Sequence, residues 1–599
     1  MSEASGNSAG GVRGGVNHWV LRIGLPTALI VVGAAVYANS FSGAFVFDDE
    51  ESVLENPNIL HLWPISKAML SPPQYTVAGR PMASLSLAVN YAISGYEAWS
   101  YHLFNLAVHI LAGLTLFGII CRTLLCERLR ERFGKHSAVL GWAAATIWLV
   151  HPIQTESVTY IVQRTESMMG LFYLLTLYSA IRAMESDKLL IWSAVSVICC
   201  GLGMGTKEAM VTAPVMVLLY DRAFFAGSFI AAFRRRWGLY AGLAATWVVL
   251  LVLIHTAPRS QTAGFAFGYR PLEYAMNQCR VIIRYLRLSF WPRGLCLDYS
   301  WPVVKDFGRL WPFAAVVAAM VAAAIWGLIR NKAWSYPAAW FFVVLAPTSS
   351  FIPVMDVIFE HRMYLPLAGV VVPAVLAGYV LFERWSARRL MAALAAIVIV
   401  ALGWGTFLRN SDYRSGESIW RKALEVVPYN VRAYYNLGLA MQNQGRFGEA
   451  IKNYNQAIRL NPDYYRAYYN LGHLMQSGGR LKEAVGYYQR AIAIKPDLAD
   501  AYCNLGSAFL SMGRFDEAIS EYHKALSIQP NDAETYNNLG LAFIRLGRFD
   551  EAERQLRKAL EITPDLPDAH RNLAAALKSQ GKVEEAMVHY KKAKEYSSP

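Results

Sequence analysis

The residues best suited to chemistry lie in four short polar stretches. Asp48 and Asp49 stand side by side in FVFDDEESVLENPNI (45–59), next to apolar Phe45 and Phe47. A carboxylate held against apolar neighbours is partly desolvated. That raises its basicity and suits it to take a proton from an attacking hydroxyl. The bland reading is an acidic, solvated loop. GRPMASLSLAVNYAISGYEAWSYHLFNLAVH (79–109) supplies Arg80, then Tyr101, His102, Asn105 and His109. The 102/105/109 spacing puts polar groups on one helical face. Two histidines there could ligate a metal, but hydrogen-bonded packing accounts for them more simply. HPIQTESVTYIVQRTES (151–167) brings His151, Glu156, Arg164 and Glu166. GTKEAM (205–210) and EHRMYLP (360–366) add Lys207, Glu208, Glu360, His361 and Arg362. Such cations can hold a phosphate, Arg through paired N–H groups and Lys as a point charge. The same charges can instead pair with one another and pin neighbouring turns together.

These groups need elements to place them, and composition says which kind. The chain has 599 residues, 55% hydrophobic and 17% charged. Soluble domains carry about 25% charged residues, and nearly all of the deficit lies before residue 408. Apolar runs near the ~20-residue bilayer length recur at 19–38, 103–121, 138–153, 168–184, 189–205, 209–225, 238–256, 311–330, 337–352, 364–382 and 390–408. The first follows Arg13 and Arg22 without a small-residue cleavage site, so it reads as an anchor. Basic loops at Arg122–Lys135, Arg182–Lys188, Arg222–Arg236, Arg330–Lys332 and Arg384–Arg389 all fall on the side of the N-terminus. That is the cytoplasmic side. The net charge of +14 therefore belongs to membrane topology rather than to nucleic-acid binding. An odd number of spans, about eleven, puts the C-terminal part on the opposite face with all four polar stretches. One segment tests this count. Residues 275–291 carry Arg280, Arg284 and Arg287 at helical spacing, which is costly in hydrocarbon. They read as an amphipathic helix on the outer surface; if they span, the C-terminal part moves to the cytoplasm.

That part is periodic. Pro428, Pro462, Pro496, Pro530 and Pro564 recur every 34 residues, as do Asn436, Asn470, Asn504, Asn538 and Asn572. This is the tetratricopeptide (TPR) pattern of paired helices. SGESIWRKALEVVP (415–428) matches a second helix alone, so the array starts directly off the last span and is rigidly coupled to it. The asparagines either tidy contacts between repeats or line a groove, where an amide suits an extended peptide backbone. The column resembles the asparagine ladder of the O-linked GlcNAc transferase superhelix, which holds acceptor peptides. The seven cysteines give no disulfide or metal pattern. No metal ligand set is expected, although an assisting divalent metal stays an alternative.

Acidic base candidates beside clustered cations at the outer membrane edge are the parts needed for a lipid-phosphate sugar donor. The motifs quoted above occur in the order seen in the transmembrane and tetratricopeptide repeat-containing (TMTC) proteins, which the chain resembles over almost its whole length. That family is similar to protein O-mannosyltransferases, glycosyltransferases of the GT-C type. The resemblance implies an all-α fold: a polytopic GT-C-like bundle followed by a TPR α-solenoid. Its parts would be a cytoplasmic tail (1–18), a catalytic membrane domain (19–408), a half-repeat junction (409–430) and five repeats (431–599). It implies transfer, with inversion, of a sugar such as mannose from a polyprenyl-phosphate carrier, the co-substrate, to Ser or Thr hydroxyls of exported proteins. Asp48 and Asp49 take the family's acidic motif. Arg164, Lys207 and Arg362 lead as phosphate contacts, with Arg80, Glu208, Glu360 and His361 in the substrate site and the five asparagines holding the acceptor. In a bacterium the carrier would be undecaprenyl and the array periplasmic at the inner membrane; in a eukaryote the array would be lumenal. The alternatives are a non-catalytic membrane scaffold and a transferase acting on a cell-envelope glycan.

Overall fold

The computed structural model describes residues 23–73, 75–256 and 270–597. The expected tail (1–18) and the start of the first apolar run lie outside them. Every regular element among the described residues is helical, and the chain divides into two compact units, Met1–Val426 and Val427–Pro599.

The first unit contains α1 (Leu25–Val36), α2 (Ile65–Ala68), α3 (Pro81–Ser94), α4 (Ala98–Leu125), α5 (Glu127–Phe133), α6 (Ser137–Leu149), α7 (Thr155–Thr159), α8 (Arg164–Glu185) and α9 (Leu189–Met204). It continues with α10 (Ala213–Asp221), α11 (Phe229–Ala245), α12 (Trp247–Thr256), α13 (Pro271–Phe290), α14 (Phe307–Ile329), α15 (Ser335–Leu345), α16 (Ala368–Arg384), α17 (Arg388–Asn410) and α18 (Gly416–Val426). Prolines stand at the first turns of α1, α3 and α13, where their missing N–H costs nothing. Among the described residues, 7 helical stretches are long and apolar enough to cross a bilayer: Leu25–Ser42, Ala98–Leu125, Ile161–Glu185, Glu208–Ala226, Phe229–Thr256, Phe307–Ile329 and Arg388–Arg414. The protein is a multi-pass membrane protein. Four expected spans fall on shorter helices, α6, α9, α15 and α16. Outward-facing Ile397, Val400 and Trp404 on α17 suit lipid contact.

The two ends differ in chemistry. At one end the basic loops meet. Arg222 donates to Ile329 O at 3.2 Å, Arg128 to Ala223 O at 2.5 Å, and the His136 ring lies 5.7 Å from the Tyr379 ring. At the other end the polar stretches meet. Met82 N donates to Gly205 O, and the His102 ring bonds Gly43 O at 3.2 Å. The C-terminal end of α17 arrives there too, where Asn39 donates to Phe407 O at 2.7 Å.

Helix α13 is amphipathic. Tyr274, Asn277, Gln278, Val281, Ile282, Tyr285 and Leu288 are buried along one face. Arg280 lies over the Trp301 ring at 4.2 Å, and Arg284 donates to Gly294 O at 3.0 Å. It is not among the helices apolar enough to cross. The half-repeat helix α18 belongs to this first unit, with Trp420 edge-on to Phe47, ring centroids 5.3 Å apart.

The second unit is five helix pairs: α19 (Val431–Asn443) with α20 (Phe447–Leu460), α21 (Tyr465–Ser477) with α22 (Leu481–Ile494), α23 (Ala499–Ser511) with α24 (Phe515–Ile528), α25 (Ala533–Arg545) with α26 (Phe549–Ile562), and α27 (Pro567–Ser579) with α28 (Val583–Tyr596). Each intrapair turn uses a left-handed glycine; Gly445, Gly479, Gly513 and Gly547 share φ +74°. The glycine of the Asn-Leu-Gly column has a different task. A Cβ on Gly472 would stand 2.7 Å from the Tyr488 ring, so only glycine lets the paired helices close on that tyrosine.

Candidate active site

The acidic loop follows a 3₁₀ turn, Ala38–Ser42, off α1. Phe47 sits at φ +53°, a left-handed conformation that is strained for a bulky residue and is held by its neighbours. The two aspartates that follow have different environments. Asp49 is fully buried. Its Oδ2 accepts from Val46 N at 3.1 Å and its Oδ1 from Val162 N at 2.7 Å. Burial pushes its pKa up to about 8 against those two N–H donors, and the charge of Asp48 adds to the rise. Asp48 is half-buried, and its backbone N–H donates to the Tyr160 hydroxyl at 3.0 Å.

The stretch 151–167 is buried throughout. Three polar anchors draw it into the bundle end: Asn105 donates to Val158 O and Ile161 O at 3.1 and 3.3 Å, Asn410 accepts from Thr159, and Val162 N meets Asp49. His151 bonds Ser289 O at 3.1 Å. His109 bonds the Tyr364 hydroxyl and Leu149 O, both at 2.9 Å. His109 is therefore occupied in packing through both ring nitrogens, and His102 through one. Among the described residues no group of three or more His, Cys, Asp and Glu is placed to hold a metal ion.

Glu156 receives both the backbone N–H and the ring Nδ1 of His361, at 3.1 and 2.7 Å. Next to it Glu360 accepts from Cys296 N and the Tyr299 hydroxyl, each at 2.7 Å, and from Arg409 at 2.6 Å. Burial pushes both carboxyls up, with the Arg409 cation opposing. Burial and then the Lys207 cation hold His361 well below the usual histidine range.

The cations divide into two groups. Lys207, 8% exposed, pairs with Glu166, and Arg80 lies 3.5 Å from Glu208. Arg164 and Arg362 are engaged within the fold. Arg164 is fully buried, donating to Asn90 Oδ1 at 2.5 Å and Tyr101 O at 3.2 Å, with the Phe104 ring 4.7 Å away. Arg362 donates to Val357 O at 3.1 Å and Asp356 O at 2.7 Å. Both fix their surroundings through these contacts.

The asparagine column is also spent in part within the array. The amide nitrogens of Asn470 and Asn504 donate to the Tyr435 and Tyr469 hydroxyls of the preceding repeat at 3.2 and 2.9 Å, and Asn572 donates to Asn537 Oδ1 at 2.9 Å. Asn538 reaches Cys503 Sγ at 3.9 Å, while the Asn436 amide nitrogen is buried without a partner among the described residues. The sequence reading missed Arg409, Tyr299, Tyr160 and Asn90. Only Arg409 left a signal, as a cation closing an apolar run.

Comparison with known proteins decides the kinship. "Protein O-mannosyl-transferase TMTC3" of Mus musculus is 25% identical over 478 residues, covering 72% of this chain and 50% of that protein. "Protein O-mannosyl-transferase TMTC4" of Mus musculus is 26% identical over 487 residues, covering 71% and 66%. This chain is a homologue of the TMTC proteins. It spans half to two thirds of the length of these TMTC relatives. The tetratricopeptide repeat family models match residues 419–452, 497–565 and 533–598, and a TPR repeat model matches 443–478 and 476–513. Among solved structures, "Crystal structure of MamA protein" is similar over 28% of this chain and 91% of its own, at 25% identity and a TM-score of 0.26.

Proposed function

We propose that this TMTC homologue is a membrane glycosyltransferase that moves a sugar, mannose by analogy with the names of its relatives, from a polyprenyl-phosphate carrier to Ser or Thr hydroxyls of exported proteins. The observation that carries the reading is the split between the two aspartates. One is buried and locked to backbone; its neighbour is half-exposed at the bundle end where the other polar stretches gather. Asp48 is the base in this reading, and Asp49 positions it by tying residues 46–49 to Val162.

Asp48 takes the proton of the acceptor hydroxyl as its oxygen bonds the anomeric carbon from the face opposite the carrier. The bond from that carbon to the phosphate oxygen breaks, which inverts the centre. The departing phosphate keeps the electron pair and needs positive charge, which Arg80 and Lys207 supply. Glu166 and Glu208 hold those two cations until the donor arrives, and Glu156 keeps His361 oriented beside them. The array shares the outward face with Asp48 and presents the acceptor. Asn470 and Asn504 use their amide nitrogens between repeats, which leaves their carbonyl oxygens for a peptide N–H.

The test is turnover of labelled polyprenyl-phosphate sugars by the purified chain, with a peptide library and an envelope-glycan library as acceptors. Sugar on peptide in the wild type, lost in Asp48→Asn, supports the reading. Transfer to glycan alone redirects it. No turnover together with tight capture of one protein partner favours a scaffold.

A further inference from the structure

Far from the carboxylates, a cavity of about 730 Å³ lies among α4, α5, α8, α15 and α16. That is within the usual size of ligand sites. Its wall is almost wholly hydrocarbon and aromatic, with Ile120, Leu177, Trp340 and Leu376 on different helices. One end is closed. Gly369 lets α16 press on α15, where a Cβ would stand 2.7 Å from Pro337 O, and the Trp340 indole donates to Leu365 O at 2.8 Å. The other end lies among the basic loops. There Arg132, Trp334, Leu381 and Arg384 are exposed, and the Phe133 and Tyr379 rings, 5.9 Å apart, hold α5 against α16.

Two features of that mouth are specific. Arg132 and Arg384 both line it, and neither forms an ion pair among the described residues. The nearby carboxylate, Glu383, is engaged by Arg388 at 2.7 Å and by the Tyr379 hydroxyl at 2.9 Å. From Gly369 to Arg384 the slot runs roughly 22 Å along α16, enough for the chain of a lipid from one leaflet of a ~30 Å core.

We propose that this cavity binds an anionic phospholipid, its phosphate between Arg132 and Arg384 and one acyl chain in the slot between α15 and α16. Guanidinium groups at the mouth of a pocket between spans attract anionic headgroups on the basic side, and each can give paired N–H donors to phosphate oxygens. A sugar carrier would need its phosphate at the Asp48 end, the closed end of this slot. The bound lipid braces α5, α15 and α16 where few polar contacts do so.

The delipidated full chain in mild detergent, titrated with phosphatidylglycerol, phosphatidylcholine or polyprenyl phosphate, tests the assignment by native mass spectrometry and thermal unfolding. Phosphatidylglycerol should be retained and raise the unfolding midpoint, with the other two weaker. R132Q/R384Q, at two exposed positions, should lower its affinity about 30-fold. Val372→Trp should block retention by filling the slot. Equal retention of phosphatidylcholine, unchanged affinity in R132Q/R384Q, or preference for polyprenyl phosphate overturns the proposal.

Discussion

In the proposed reaction one peptide bond separates a reagent, Asp48, from a support, Asp49. The left-handed backbone at Phe47 turns the chain so that Asp49 enters the protein while Asp48 stays at its margin. Asp48→Asn should cut transfer by about 100-fold or more, with the unfolding midpoint unchanged; a midpoint drop of the size seen for buried changes would count against a purely chemical role. Asp49 titrates differently. Its folded pKa, about 8, lies above the 3.8 of the unfolded chain. The folded state therefore holds the proton more tightly, and stability relative to Asp49→Asn falls as pH rises from about 4 to about 8, then levels off. Unfolding midpoints of both proteins across that range would show the slope or its absence. Arg409 offers a third case. Arg409→Met leaves Glu360 buried without its cation, at a cost of about 3–5 kcal/mol, readable as a lower midpoint at neutral pH.

At the scale of elements, legibility followed periodicity. The 34-residue repeat and the arginine spacing in 275–291 both survive in the structure, because each repeats on the period of the element that carries it. The burial of the stretch 151–167 was not legible. Its charges look like those of a solvated turn, and their burial depends on Asn105, Asn410 and Asp49, all distant in sequence. The same holds for Glu360, whose cation lies 49 residues away. The asparagine column was legible as a column with two alternative roles, and the donors of Asn470 and Asn504 take the first, facing the preceding repeat. The glycine two residues on makes a sharper prediction. Gly472→Ala puts a methyl 2.7 Å from the Tyr488 ring, an overpacking cost of about 1–3 kcal/mol. Hydrogen exchange should rise in α21 and α22, and little elsewhere in the array, because repeats support only their neighbours.

At the scale of the whole molecule, the proposed chemistry requires the repeats and Asp48 to share one side of the membrane. In sealed vesicles with the basic loops inside, external protease should digest the array and spare the loop at Arg122–Lys135; digestion of that loop with the array protected would break the mechanism. The uniform glycine turns carry a different consequence. Because the turns at Gly445, Gly479, Gly513 and Gly547 share one backbone geometry, gaining or losing one 34-residue block by gene duplication or deletion recreates the same junctions on either side. The length of the array can thus drift in whole steps over evolution while the membrane domain stays untouched.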